Sequence, residues 1–325
     1  MKSIFSVVLK TAIAVGLIYF ILQQVDFTDI VGHISNANIS LLAAGIGCWL
    51  LLCLLGALRW CWLTNAADVS ITYTRSLKLL FIGFFFNNVM FGSTGGDVVR
   101  AYMVTQNMTG NRWRAVVAVI VDRVIGLFAL LSIACVMLYL FESSDPEKFA
   151  AIPGLHTMRL LVTAFVVVFV ACVMIYMSTR ARRFLRIKTI ISKLPFQGLI
   201  EKIHDALSLY RQQYPAAIKA FLVSIPLQFS GICAFYFIAT ALDSSLVFRD
   251  HAIVFPLVQT ASAVPIAPAG WGVGEQLYGL FFERFGDTIT IGVTASVLFR
   301  LITQIGFGLI GGLVWISSSD RRSNK

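Results

Sequence analysis

Six charged side chains stand in or beside apolar stretches that would otherwise read as membrane spans: Asp97, Arg100, Asp122, Arg123, Glu275 and Arg300. Asp97 and Arg100 belong to FNNVMFGSTGGDVVRAYM (86–103), which follows the apolar run LLFIGFFF (79–86). Asp122 and Arg123 lie in VIVDRVIGLF, and Arg300 in SVLFRLITQIGFG. Glu275 closes the glycine-rich stretch GWGVGE, as Asp97 closes GSTGGD. A charge at the centre of a membrane helix costs about 2.5–3.5 kcal/mol on insertion scales, so such groups must pair or face water. Arginine's planar fork suits bidentate contact with phosphate. Backbone N–H groups at glycine-rich helix starts add to anion affinity. The chemistry these residues could perform is capture of an anionic headgroup in a polar cavity. Ion pairing that merely ties helices together is the other reading, and the sequence leaves both open.

A second set of residues would shape such a cavity: Asn88, Gly95, Gly96, Pro265, Pro268, Gly270, Gly272 and Gly274. Glycine and proline breaks at membrane depth are tolerated only where the freed backbone lines a cavity or is buried in protein. Asn87, Gln259 and Gln304 are read, with Asn88, chiefly as helix contacts. Trp49, Trp60, Trp62 and Trp113 are read as anchors at the membrane interface. GFGLIGG (306–312) suggests close helix packing. The four histidines are scattered, and all six cysteines lie within apolar runs without a CxxC pair. No metal site, disulfide framework or cofactor is therefore expected. No GxxxxGK[ST] is present, so ATP is not expected to drive the protein.

The elements that must position these residues are membrane helices. The 325 residues are 58% hydrophobic and 13% charged, far from the ~25% charged of soluble domains. Six runs reach the ~20 residues needed to span: 4–22, 39–63, 115–141, 160–177, 216–242 and 289–317. The first lacks a small-residue cleavage site and reads as a retained span. Two further apolar regions, 79–103 and 252–285, are broken. Arg59, Arg75 and Lys78 are read as charges around the end of the second span, and Arg100, Arg112 and Arg114 precede the third. TRARRFLRIK follows the fourth span and DRRSNK the sixth, whereas DFTDIVGH, ESSDPEKF and DSSLVFRDH follow the others. Basic loops thus alternate with acidic or mixed ones, which puts both termini in the cytoplasm if each broken region returns to the side it entered. The net charge of +10 fits cytoplasmic loops against anionic lipid, with no nucleic acid as partner.

The layout repeats. Each half runs span, span, broken region, span, and each broken region carries a glycine-rich turn, a carboxylate and then a deep arginine. The separation is 26 positions from Asp97 to Arg123 and 25 from Glu275 to Arg300. Three crossings per half would turn the second half upside down, a transporter design in which broken helices meet near the midplane. The expected fold is an all-α polytopic membrane protein, with about six full spans, two opposed re-entrant helical hairpins and an inverted repeat. Residues 1–150 form the first repeat, with a cytoplasmic-side hairpin at 79–103. Residues 151–179 hold the fourth span and begin the second repeat. A basic amphipathic cytoplasmic linker occupies 180–215, and 216–325 complete the second repeat with an outer-side hairpin at 252–285. The linker reads as helices lying on anionic lipid, or as a solvated connection.

GDVVRAYMV (96–104), DRVIGL (122–127) and PIAPAGWGVGEQ (265–276) resemble the transmembrane domain of the lysylphosphatidylglycerol synthetase/flippase family. The resemblance covers nearly the whole chain and implies lipid translocation between leaflets of a bacterial-type cytoplasmic (inner) membrane. Asp97, Arg100, Asp122, Arg123 and Glu275 fall on matching motif positions; Arg300 rests on the repeat. The bifunctional members add a soluble aminoacyl-transfer domain, and none is expected here, so the chain is expected not to be an enzyme. The expected cargo is an anionic phospholipid, a glycolipid or a polyprenyl phosphate, and a lipid- or glycolipid-biosynthesis enzyme is the expected protein partner. Two other functions compete: a membrane transferase acting on a lipid-linked donor, and a non-transporting scaffold of a lipid-synthesis complex.

Overall fold

A computed structural model describes residues 27–89, 95–106, 112–178, 180, 207–263 and 271–323. The expected first span (4–22), Pro265, Pro268, Gly270 and most of the 180–215 linker lie outside the described residues. Every regular element among the described residues is helical. In order they are α1 (Phe27–Ser35), α2 (Ile39–Ala66), α3 (Tyr73–Val89), α4 (Gly95–Thr105), α5 (Trp113–Ser144), α6 (Pro146–Ala151) and α7 (Leu155–Met177). Then come α8 (Tyr214–Ala241), α9 (Phe248–Ser262), α10 (Val273–Phe285), α11 (Ile289–Arg300), a π-helical turn (Leu301–Gly306) and α12 (Phe307–Ser323). Five helical stretches are long and apolar enough to cross a membrane: α2, α5, α7, α8 and the continuous Ile289–Ser318. They match five of the six spans read from the sequence. This is a multi-pass membrane protein.

Helix ends are set by local chemistry. Asn38 caps α2, its Oδ1 accepting from the Ser40 and Leu41 amides. Asp145 caps α6 in the same way, through the Lys148 amide at 3.0 Å, with Pro146 at the first helical position. The helices α2 and α8 stop alike. Asp68 and Asp243 take positive φ just past the last turn, and the following amides reach back to the Thr64 and Ala239 carbonyls.

The scaffold is the antiparallel pair α2 and α8. Gly45 meets Ile238, Gly231 meets Leu52, Gly56 meets Leu227, and Arg59 reaches Ser224. At each of these contacts the two residue numbers add to 283, so the register is unbroken over four turns. The Asn38 amide donates to the Ala241 carbonyl at one end of the pair, and Tyr210 donates to the Leu63 carbonyl at the other.

Each broken region is a pair of short antiparallel helices. Gly83 of α3 lies against Gly96 of α4, and Arg75 donates to the Met103 carbonyl. In the second region Ser262 of α9 lies beside Gly274 of α10, and His251 packs on Phe282. The α3/α4 pair has its chain ends at the end of the bundle where α2 finishes and α8 starts. The α9/α10 pair has its chain ends at the opposite end, where Arg249 donates to Ser144 and Ser244 to Asp287. The neighbours correspond as well: α3 packs on α12, and α9 packs on α5. Gly311 of α12 sits directly against the Phe81 carbonyl of α3, so the expected close packing of GFGLIGG is present there.

Two sequence readings are corrected. Trp60 is no interface anchor: it is 1% exposed and belongs to the core around α2, α3, α4 and α5. Trp49 is half-buried against Phe84, Phe299 and Phe307. Both rings face inward because α2 packs on α8 on one side and on α3 and α5 on the other.

Candidate functional site

Asp97 sits in the first turn of α4, where the helix dipole favours a carboxylate. The Gly96 amide donates to Asn87 Oδ1 at 2.7 Å, holding the start of α4 against the end of α3. A Cβ at Gly96 would overlap the Gly83 carbonyl, so only glycine lets the two helices approach this closely. Asp97 Oδ2 accepts from Arg123 Nε of α5, and Oδ1 accepts from Arg100 Nη1 at 3.2 Å. Arg100 is buried, with its guanidinium 4.2 Å from the centre of the Trp60 ring.

Asp122, next to Arg123, turns the other way. Its Oδ1 accepts from Arg59 Nε at 2.8 Å, and Arg59 Nη1 donates to Ser224 Oγ at 3.0 Å. Arg59 was read from the sequence as a loop charge. It is instead buried about two turns inside the end of α2, covered by Gly126 of α5 and Ser224 of α8. These groups line a cavity of about 320 Å³, together with Asn87, Gln228, Gln259 and Thr260.

The second half builds a comparable site. Glu275 lies in the first turn of α10, and its Oε2 accepts from the Gly272 amide at 2.6 Å. Its Oε1 accepts from Arg300 Nε at 2.7 Å and from Ser296 Oγ at 3.3 Å. The Arg300 guanidinium lies 5.3 Å from the Trp271 ring, and it presses on Gly274 so closely that a Cβ there would collide with it. Gly272 takes φ +83, which an L side chain would resist. This pair is almost sealed, with side chains 6% and 4% exposed, whereas Arg123 is 42% exposed. The π-helical turn starts immediately after Arg300, and its Gln304 carbonyl accepts from Asn88 at 2.6 Å.

A cavity of about 180 Å³ borders Arg300 and Ser296, and its wall shares Phe84, Asn87 and Gln259 with the first cavity. Asn87 near the end of α3 and Gln259 near the end of α9 therefore stand between the two charged centres. All six charges singled out in the sequence lie at these two centres, as do Gly95 and Gly96 of the first turn and Gly272 and Gly274 of the second. Sequence reasoning missed Arg59, Trp60, Trp271, Ser296 and Gln228. Arg59 alone carried a signal, a charge inside the apolar run 39–63.

Interrupted helices meeting inside a multi-pass bundle, each starting with a carboxylate that holds an arginine from the next span, define a class of helical membrane protein with a charged interior. The chain belongs to the family described as the lysylphosphatidylglycerol synthase transmembrane region, whose model matches residues 7–311. It is similar to a UPF0104 membrane protein of Pyrococcus horikoshii, 21% identical over 93% of this chain and 94% of that one. It is also similar to a UPF0104 membrane protein of Methanothermobacter thermautotrophicus, 24% identical over 93% of this chain and 90% of the relative.

Proposed function

We propose that the protein is a lipid translocase that moves an anionic phospholipid, glycolipid or polyprenyl-phosphate lipid between leaflets. The observation that carries this reading is the meeting of two charged centres across Asn87 and Gln259, built by helix pairs whose chain ends lie at opposite ends of the bundle. In this reading α3/α4 and α9/α10 are re-entrant hairpins from opposite faces, and the two halves are an inverted repeat about an axis near Leu52 and Gly231. Support comes from the matched packing of α3 on α12 and α9 on α5, and from the alike endings of α2 and α8. Rocking one half against the other would expose Asp97, Arg100, Asp122, Arg123, Glu275 and Arg300 to each face in turn.

The membrane is a bacterial-type cytoplasmic membrane with both chain termini inside. The basic end carrying Arg75, Lys78, Arg112 and Arg114 supports that orientation. The protein acts without catalysing a covalent step, driven by lipid gradients or a coupled ion, and hands its cargo to or from an enzyme of lipid or glycolipid synthesis. Reconstitution in vesicles with fluorescent anionic lipids tests this. Leaflet exchange should rise with the native chain and fall to background with Arg300→Ala. Equal exchange in both, across several headgroups, refutes the proposal.

A further inference from the structure

We propose that the cavity at Asp97 takes the phosphodiester of a lipid with one net negative charge, whose hydrocarbon chain lies in the groove between α4 and α5. This rests on the translocase reading and narrows its cargo. Three arginines line the cavity, Arg59, Arg100 and Arg123, against two carboxylates, Asp97 and Asp122. Arg59 is matched by Asp122, and Asp97 is divided between Arg123 and Arg100. One positive charge is thus in excess among the described residues lining the cavity. In sequence, the stretches that join α3 to α4 (90–94) and α9 to α10 (264–270) carry no charged residue. At the other centre, among the described residues, Glu275 pairs with Arg300.

Arg100 is where the excess shows. It is 7% exposed, it lines the cavity, and its Nε and Nη2 have no hydrogen-bond partner among the described residues. A buried ionised donor without an acceptor is costly, and an anionic oxygen in the cavity removes that cost. A monoanion brings the cavity to neutrality. A dianionic phosphomonoester would leave it negative, and a zwitterionic headgroup would leave it positive, each in a low dielectric.

The chain of the ligand has a track. A second cavity of about 420 Å³ lies between α4 and α5 and shares Asp97 and Arg123 with the first. Apart from Thr105 and Arg112, its remaining walls are mostly apolar, from Val98, Ala101, Tyr102, Val116, Val119 and Ile120, and Val98, Tyr102 and Ile120 are exposed. The charged cavity therefore opens sideways into a hydrocarbon-lined groove, which suits a tail attached to the headgroup rather than a free anion.

Native mass spectrometry of the full chain in zwitterionic nanodiscs tests this with four probes: dioleoyl phosphatidylglycerol, dioleoyl phosphatidic acid at pH 8.5, dioleoyl phosphatidylcholine and inorganic phosphate. Phosphatidylglycerol should bind at least about tenfold more tightly than the other three. Arg100→Gln should weaken it by about thirtyfold and abolish its advantage over phosphatidylcholine. Arg100→Lys, which keeps the charge, should keep the preference at lower affinity and serves if the glutamine variant fails to fold. Val98→Trp should weaken dioleoyl but not dihexanoyl phosphatidylglycerol. Equal binding of phosphatidylglycerol and phosphatidylcholine, indifference to both Arg100 variants, or phosphate binding as tight as the lipid overturns the inference. Leaflet exchange is read separately: exchange without charge preference overturns this inference and leaves the translocase. Selective binding without exchange sinks the translocase and leaves the site.

Discussion

The sealed pair of Glu275 and Arg300 gives a quantitative test of the interior electrostatics. Glu275 accepts three hydrogen bonds, from Arg300 at 2.7 Å, the Gly272 amide at 2.6 Å and Ser296 at 3.3 Å. Removing either charge strands the other in a site where both side chains are under a tenth exposed. Breaking a buried pair in this way costs about 3–5 kcal/mol. The adjoining cavity of about 180 Å³ is large enough to admit water, which favours the lower figure. Glu275→Gln and Arg300→Met should therefore each destabilise by about 3 kcal/mol. The double variant carries no stranded charge, and the glutamine carbonyl can still accept from Gly272. It should cost no more than either single change, giving a coupling of about 3 kcal/mol. Reversible unfolding by SDS in mixed micelles measures all four corners of the cycle. Additive single and double effects, or a Glu275→Gln variant within about 0.5 kcal/mol of the native chain, would refute the buried pair.

Three further outcomes are expected. Arg59→Met alone should destabilise by about 3 kcal/mol, while Arg59→Met with Asp122→Leu should recover most of that loss in the same SDS titration, since an apolar pair can replace a buried ion pair. Gly311→Val should cost about 2–3 kcal/mol because its Cβ overlaps the Phe81 carbonyl, whereas Gly47→Ala, with nothing within 4 Å of its Cβ, should be neutral or gain up to ~1 kcal/mol. A cysteine at the half-exposed Arg123 should react with a membrane-impermeant thiol reagent much faster than one at the buried Ser296, as followed by mass shift on an otherwise cysteine-free chain.

Much of this architecture was legible in the chain itself. Apolar runs of span length are a local property, and five of the six expected spans are helices at nearly the expected bounds; the first, 4–22, lies outside the described residues. The breaks at GSTGGD and GWGVGE were readable because glycine clusters interrupt a helix whatever its neighbours are. The matched spacing of 26 and 25 positions singled out Asp97 with Arg123 and Glu275 with Arg300, and those carboxylates do hold those arginines.

Tertiary structure decided the rest. Asp122 pairs with Arg59, 63 positions earlier in the same half of the chain, and not with a charge near it in sequence. Whether an arginine near the end of an apolar run reaches the interface or turns inward depends on what covers it. Here Gly126 of α5 and Ser224 of α8 leave room for the guanidinium on the inner side of α2. Trp60 was misread for the same reason: an indole at a helix end carries no mark of which way it faces until Arg100 arrives over its ring. The π-helical turn after Arg300 had no counterpart in composition; its Gln304 carbonyl accepts from Asn88 of α3, more than two hundred positions earlier. Composition and periodicity fixed which residues were charged and how deep they lay along their helices. Which charge meets which was settled by helix packing, because a partner dozens of positions away leaves no periodic trace in the chain.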